Sequence, residues 1–284
     1  MPRHSASNPS RRIVLDEGFG EELLDRILRW NRLETSTRQI VPHRRDYISE
    51  YLVPYHRHSL GQLVYAEIGV FMMLTEQGRW IVPPDHAFWV PAGIEHSMQT
   101  HGHTSIRALY IKQGLIPNLP GGVRVMGMTA LMRSLIEEAV QMPGEEDPSP
   151  DTRDGLILAL MRDELGRMPE KPLGLPMPAE PKLASLCREF LERPTPHVTI
   201  DRWADAMAMS RRAFTRAFRR ETGLSLSAWR QQACLFAALP RLAAGESITG
   251  IALDLGYDST AAFATMFRRI LGAPPSRYLY PETS

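Results

Sequence analysis

The sequence predicts an α+β chain of more than one domain: an N-terminal antiparallel β-barrel, a helical connector, and a C-terminal all-α domain of two helix–turn–helix units. Three observations predict it. Residues 47–111 hold short runs rich in Val, Tyr, Phe, Ile and Met, parted by Gly61, Gly69, Gly78, Gly93 and Gly102, the texture of many short strands. A proline-rich stretch over 169–181 follows two helix-patterned segments and reads as an interdomain linker. The remainder of the chain is helical in pattern and repeats itself at a spacing of 48–49 positions.

With 284 residues the chain is long enough for two ordinary domains. A composition of 43% hydrophobic and 23% charged residues excludes a disordered protein. Two cysteines, Cys187 and Cys234, cannot build a disulfide framework or a four-thiolate zinc site, and their apolar neighbours suggest free buried thiols in a reducing compartment. No apolar run approaches the roughly 20 residues of a membrane helix. No hydrophobic stretch follows Arg11 and Arg12 to make a secretion signal. A soluble protein of the cytoplasm with no membrane partner is therefore expected. The net charge of +1 hides an asymmetry: the chain carries +4 from Ala179 onward and −3 before it, which points the C-terminal part at a polyanion.

Taken in order, residues 1–35 read as a flexible lead with a short amphipathic helix over 19–33, built on Leu23, Leu24, Ile27 and Leu28. Residues 36–122 form the barrel, with strands expected at 62–68, 70–75, 86–90 and 106–111. Residues 123–168 form a connector with helices at 128–141 and 153–166. Their apolar stripes (Leu131, Leu135, Ile136; Leu156, Leu160, Met161) suit dimerisation, docking of the last domain, or ordinary core. The linker covers 169–181 and the helical domain 182–284.

Within that last domain Ser210, Phe214, Phe218, Gly223 and Ser227 recur 49 residues later as Ser259, Phe263, Phe267, Gly272 and Ser276. Upstream the offset is 48, Ile200 to Ile248 and Ala204 to Ala252, so the turn between helices absorbs one residue. Each copy reads as a helix–turn–helix: a small alanine permits close packing, and a serine suits the N-cap of the second helix. In the first copy Phe214, Ala217 and Phe218 make the buried face, while Arg212, Thr215, Arg216 and Arg219 make the outer one. A ridge with three guanidinium forks matches guanine edges and phosphate oxygens in a major groove; the alternative is a solvated charged face. The second copy turns Ala261, Ala264, Thr265 and Arg268 outward, small residues that read few bases. The first unit is thus expected to supply most specificity and the second mainly to clamp the backbone through Arg268, Arg269 and Arg277.

Asp254-Leu-Gly-Tyr257-Asp-Ser, Ala262-Phe-x-x-x-Phe267-Arg-Arg and Leu271-Gly-x-x-Pro275-Ser-x-Tyr278 resemble the C-terminal signature of the AraC/XylS family of bacterial transcription regulators. The resemblance implies two helix–turn–helix units joined by a long helix near 227–242, their recognition helices entering successive major grooves about 34 Å apart. It maps base reading onto Arg212, Thr215 and Arg216, and in the second unit onto Thr260, Ala261 and Thr265. Backbone contacts fall to Ser210, Arg211, Arg219, Arg268, Arg269 and Arg277. Double-stranded DNA, a second copy of the chain and RNA polymerase are the implied partners. One departure is Ala208, where the first turn usually carries glycine; a left-handed conformation there costs about 1 kcal/mol.

In the N-terminal part His56 and His58 alternate onto one side, and His96 follows a Pro91-Ala-Gly93 turn. Three such imidazoles can converge on a divalent metal inside a small barrel. The pattern resembles the two cupin motifs, and a cupin is the usual sensor barrel of the AraC family. The glutamate that cupin metalloenzymes carry four residues after the second histidine is replaced by Gln62, a weak neutral ligand. The alternative is a set of barrel-mouth histidines bonded to one another, to water or to an organic effector. Tyr65, Phe71, Met73, Trp89 and Tyr110 are further candidates for an apolar effector pocket centred on His56, His58, Gln62 and His96, or else plain core. His101 and His103 are expected on a solvated loop. Motifs around His43, Asp46, Gly61, Trp80 and Trp89 also resemble a subgroup of these regulators that governs metal or drug-resistance responses. A small-molecule or metal effector and no catalytic activity are expected; a cupin metalloenzyme fused to a DNA-binding domain is the alternative.

Overall fold

The computed structural model describes residues 35–47, 50–117, 119–143 and 146–278. The helix expected over 19–33 and the lead before it lie outside those residues. Among the described residues one antiparallel sheet of nine strands forms the N-terminal part. β1 spans Ile40–Tyr47, β2 Tyr51–His56, β3 Gly61–Thr75, β4 Gly78–Val82, β5 His86–Val90, β6 His96–Ile111, β7 Arg124–Gly127, β8 Glu170–Lys171 and β9 Gly174–Pro176. The two long strands organise it. β6 pairs β1 along its second half and β2 along its first, and β3 pairs β5 and then β4 in the same way. The pairing path runs β1-β6-β3-β5-β7-β8 and its end strands do not pair with each other, so the expected barrel is a rolled but open sheet. The roll has a local cause. The β3–β6 register shifts on either side of Ile68, and Gly69 adopts φ +87° where a Cβ would lie 2.5 Å from the His103 carbonyl oxygen. Only glycine admits that bulge, which joins the two strands expected at 62–68 and 70–75 into one bent strand.

Alternation along β3 then separates two cores. Leu63 and Tyr65 face helices α1 (Ala130–Val140) and α2 (Arg153–Leu165) and pack with Met132, Leu135, Ile136 and Met161. Val64 and Ala66 face the inside of the roll with Phe71, Met73 and Ile106. The connector stripes divide accordingly: Leu135, Ile136 and Met161 are core, whereas Leu131, Leu156 and Leu160 stay 45%, 61% and 44% exposed.

The linker expected over 169–181 is instead built into the sheet. β8 pairs β7 and β9 pairs β4, and Gly174 lies so close under Trp80 that a Cβ would meet its indole nitrogen at 2.6 Å.

The C-terminal part is helical: α3 (Pro181–Glu192), α4 (Ile200–Ala206), α5 (Arg211–Thr222), α6 (Leu226–Ala243), α7 (Ile248–Asp254), α8 (Thr260–Leu271) and a 3-10 turn at Pro275–Tyr278. The repeat is visible in its punctuation. Ser210 and Ser259 accept from the backbone N–H three residues on, and Gly223 and Gly272 close α5 and α8 at φ +73° and +78°. The turns differ by the one residue that the offsets require. Ala208 stands at φ +53° in the first, where Gly256 stands at +79° in the second. Phe190, Trp203, Phe214, Phe218 and Trp229 pack largely edge-on in the first unit, and Phe263, Phe267 and Tyr278 stack at a tilt in the second. Helix α6 joins the units and also docks them on the sheet. Trp229 Nε1 donates to the Pro176 carbonyl at 2.9 Å, and Gln232 Nε2 to that of Pro172.

Candidate nucleic-acid interface and sensor cavity

The outer faces of α5 and α8 carry the predicted ridge. Phe214 and Phe218 are buried at 1% exposure, which fixes the rotation of α5 and turns Arg212, Thr215, Arg216 and Arg219 to solvent. On α8, burial of Phe263, Met266 and Phe267 exposes Ala261, Thr265, Arg268 and Arg269, with Thr260 half-buried at its start. No ion pair ties Arg212, Arg216, Arg219, Arg268 or Arg269 to another described residue. Thr215 and Thr265 each donate to the carbonyl four residues back at 2.8 Å, which leaves a methyl and an acceptor lone pair facing outward.

Two of the expected backbone contacts are engaged elsewhere. Arg211 forms a two-pronged pair with Asp201, clasping α5 to α4 across the turn. Arg277 donates to Asp85 at 2.5 Å, in the turn between β4 and β5, where Arg133 of α1 also donates at 2.7 Å. Asp85 therefore holds the second unit and the connector to the sensor sheet, a link between residues far apart in sequence.

A cavity of about 60 Å³ opens inside the roll, between β1, β2, β3 and β6. His56, Gln62 and His96 line it and His58 stands beside them; the three imidazoles place one nitrogen each within 4.8 Å of one another. Every Nδ1 is held by a carbonyl: His56 by Pro54 and His96 by Ile94 at 2.8 Å, His58 by Leu60. A carbonyl only accepts, so each Nδ1 carries a proton. Burial, with His56 beside it, pushes the His96 pKa down to about 3, so this ring is neutral. Its Nε2 is buried without a hydrogen-bond partner. The His58 Nε2 lies 3.4 Å from the Gln62 Oε1, and the Gln62 amide N–H donates to Tyr110. Three oriented imidazoles whose nitrogens converge fit a metal ion whose ligands are set by their outer hydrogen bonds.

Two predicted pocket residues do not reach this cavity. Tyr65 is fully buried on the other face of β3 and donates to Glu137 at 2.9 Å, and burial with that carboxylate beside it raises its pKa. Trp89 stands opposite Leu63 in the ladder, so it shares that outer face; its ring lies over Gly61 and its Nε1 donates to Pro120. Phe71 is core, whereas Met73 and Tyr110 do line the cavity. His101 sits half-buried within β6, 3.7 Å from Glu50, instead of on a loop, and its pKa is lowered by burial; His103 is exposed. Sequence reasoning marked His43 only as part of a motif and did not place it in the cavity, and it missed Arg45, at the alternate position of β1, and the junction residue Asp85.

A model described as an AraC-like ligand-binding domain matches residues 39–163, and one described as a helix–turn–helix domain matches residues 203–280. The transcriptional regulator NimR of Escherichia coli is 35% identical over 230 residues, 81% of this chain and 83% of its own length. The chain belongs to the AraC family. Another regulator, RipA of Corynebacterium glutamicum, is 32% identical over 148 residues, 51% of this chain and 40% of its own. The solved structure of ToxT from Vibrio cholerae is 10% identical over 85% of this chain and 98% of that one, with a TM-score of 0.35. As an AraC-family member the chain is a DNA-binding transcription regulator with an N-terminal ligand-binding domain. The ligand-binding domain ends inside α2, so β8, β9 and the strand-borne linker lie between the two matched regions. The metalloenzyme raised from the sequence gains no support from either match.

Proposed function

We propose that this regulator reads an operator through Arg212, Thr215 and Arg216 of α5 and, more weakly, through Thr260, Ala261 and Thr265 of α8. Ser210, Arg219, Arg268 and Arg269 hold the phosphates. The carrying observation is the pair of duplicated, serine-capped helices with an unpaired, solvent-facing arginine ridge on the first. A solvated surface would more naturally spend such arginines in ion pairs, as Arg220 and Arg241 are here. Arg216→Ala should cost about 1–3 kcal/mol of specific affinity and relax preference at one or two base pairs, read by footprinting on duplexes selected in vitro. An unchanged footprint and binding curve would remove α5 from the groove.

The sensor in this reading is the cavity, with His56, His58 and His96 as ligands of a divalent metal. Such a metal would supply a positive centre with an open coordination position facing the cavity. The observation favouring it is the buried, unpartnered Nε2 of His96 within a cluster whose three imidazole nitrogens lie within 4.8 Å of one another. The exposed Leu131, Leu156 and Leu160 of α1 and α2 form the face on which a second copy docks. Effector state reaches DNA through Asp85, because Arg277 cannot hold Asp85 and a phosphate in the same pose.

A further inference from the structure

We infer that Arg230 of α6 is a binding site for an operator phosphate lying between the stretches that α5 and α8 read. The inference rests on the DNA-reading assignment above and adds a contact that neither recognition helix supplies. Helix α6 carries two unlike faces. Trp229, Gln232, Phe236 and Leu239 recur three and four residues apart and are buried, and the first two bond the sheet at Pro176 and Pro172. Ser227, Arg230, Cys234 and Arg241 recur likewise on the side turned away from the sheet. At 1.5 Å per residue the helix is about 27 Å long. It joins the two units, so that side spans most of the roughly 34 Å between successive major grooves. Between those grooves a duplex offers a minor groove edged by phosphates.

Two arginines on that side are treated differently. Arg241 is neutralised within the fold, by Glu246 at 2.7 Å and Asp254 at 2.6 Å. Arg230 is half-buried, its Nε is buried without a hydrogen-bond partner, and no ion pair ties its guanidinium to another described residue. The positions three and four residues away, Leu226, Ser227, Ala233 and Cys234, include no acid. Cys234 offers no anion either, since burial pushes its thiol up to about 11. Burial lowers the Arg230 pKa as well, yet a guanidinium stays charged at any working pH. A cation held in this way destabilises the fold until an anion reaches it, and a phosphate oxygen matches its fork of N–H donors.

The test uses the full chain, a duplex selected in vitro and an unrelated duplex of equal length. Arg230→Met should weaken both duplexes by about tenfold and lower the slope of log K against log salt by about 1. In phosphate-ethylation interference, one phosphate between the two major-groove stretches should inhibit wild type when ethylated and lose that effect in the variant. Without DNA the variant should melt at or above the wild-type temperature, because methionine keeps an apolar stem with no charge to desolvate. An unchanged salt slope, or a lost phosphate that lies inside either major-groove stretch, overturns the site. A lower melting temperature with the ethylation pattern intact marks Arg230 as structural and overturns it too. Arg230→Gln also removes the charge and carries the same expectations for slope and ethylation pattern if Arg230→Met fails to fold. Arg216→Ala separates the two readings. If it alters base preference while Arg230→Met changes nothing, the α6 site alone falls; if it leaves the footprint unchanged, the groove assignment falls and this inference with it.

Discussion

Asp85 stands where three parts of the chain meet, and neutralising it should strengthen DNA binding. Its two oxygens accept separately from Arg133 of α1 at 2.7 Å and Arg277 after α8 at 2.5 Å. Asp85→Asn is the informative change, because Asp85 has φ +65° and asparagine tolerates that left-handed conformation. The Arg277–Asp85 pair is 61% and 39% exposed, so solvent screens it and it is worth about 0.5–1 kcal/mol. Freeing Arg277 for a phosphate should therefore raise operator affinity about two- to fivefold. Fluorescence anisotropy with a labelled operator duplex at fixed salt, without effector, reads a change of this size. Asp163→Asn is the control: it makes the same change in net charge at a surface pair with Arg167, whose side chains bond neither Arg133 nor Arg277. An Asp85→Asn affinity at or below wild type, or a gain that Asp163→Asn reproduces, would refute the latch.

Arg268→Ala should weaken binding to all duplexes alike and reduce the slope of log K against log salt by about 1; a loss confined to operator sequence would contradict a phosphate role. Ala208→Gly relieves a left-handed strain of about 1 kcal/mol, offset in part by glycine's greater freedom in the unfolded chain. The thermal midpoint should rise by about 2 °C, and a fall would show the turn to be unstrained. The His86 pKa is lowered, chiefly by burial, so below about pH 6.5 the unfolded chain takes up a proton that the folded one refuses and stability falls. Urea midpoints at pH 7.5 and 5.5 should therefore differ less in His86→Gln than in wild type; an equal drop in both would acquit His86.

The helical half was legible because its signals are local. Helix period, serine caps and αL glycines all lie within one turn of the residues they organise, so the 48 and 49 offsets translated directly into turns of different length. The sheet was harder, because what faces what depends on register. Gln62 and Tyr65 are three residues apart on one strand, an odd separation that puts them on opposite faces once β3 is known to be continuous. Trp89 follows Leu63 for the same reason, through cross-strand pairing that no single run of sequence displays. The 169–181 stretch read as an interdomain linker because prolines punctuate it, yet Pro172 and Pro176 act through their carbonyls, which proline retains. The Arg277–Asp85 contact joins residues 192 positions apart and leaves no local trace.

Magnitudes decide how the cavity can speak to the DNA face. β3 carries Gln62 and Val64 on the cavity side and Tyr65 on the other; Tyr65 bonds Glu137 of α1, and Arg133 of the same helix lies 5.7 Å from its ring centre. Arg133 reaches Asp85, and Asp85 reaches Arg277. Each step is a direct contact, so a ligand that displaces β3 is felt at the latch. The other junction, at Trp229, behaves differently. Its indole is fully buried against the first unit and bonded to Pro176. The ring also packs on Phe190, Trp203 and Phe218 of its own unit, so undocking uncovers only part of it. About 100 Å² exposed, with the Trp229–Pro176 and Gln232–Pro172 bonds lost, costs about 4 kcal/mol, above the 1–3 kcal/mol that effectors typically deliver across a protein. The first unit therefore stays seated on the sheet in both states. The latch at about 0.5–1 kcal/mol is within an effector's reach, so the proposed regulation falls on the second unit, as the gain or loss of its proposed phosphate clamp while the arginine ridge of α5 stays in place.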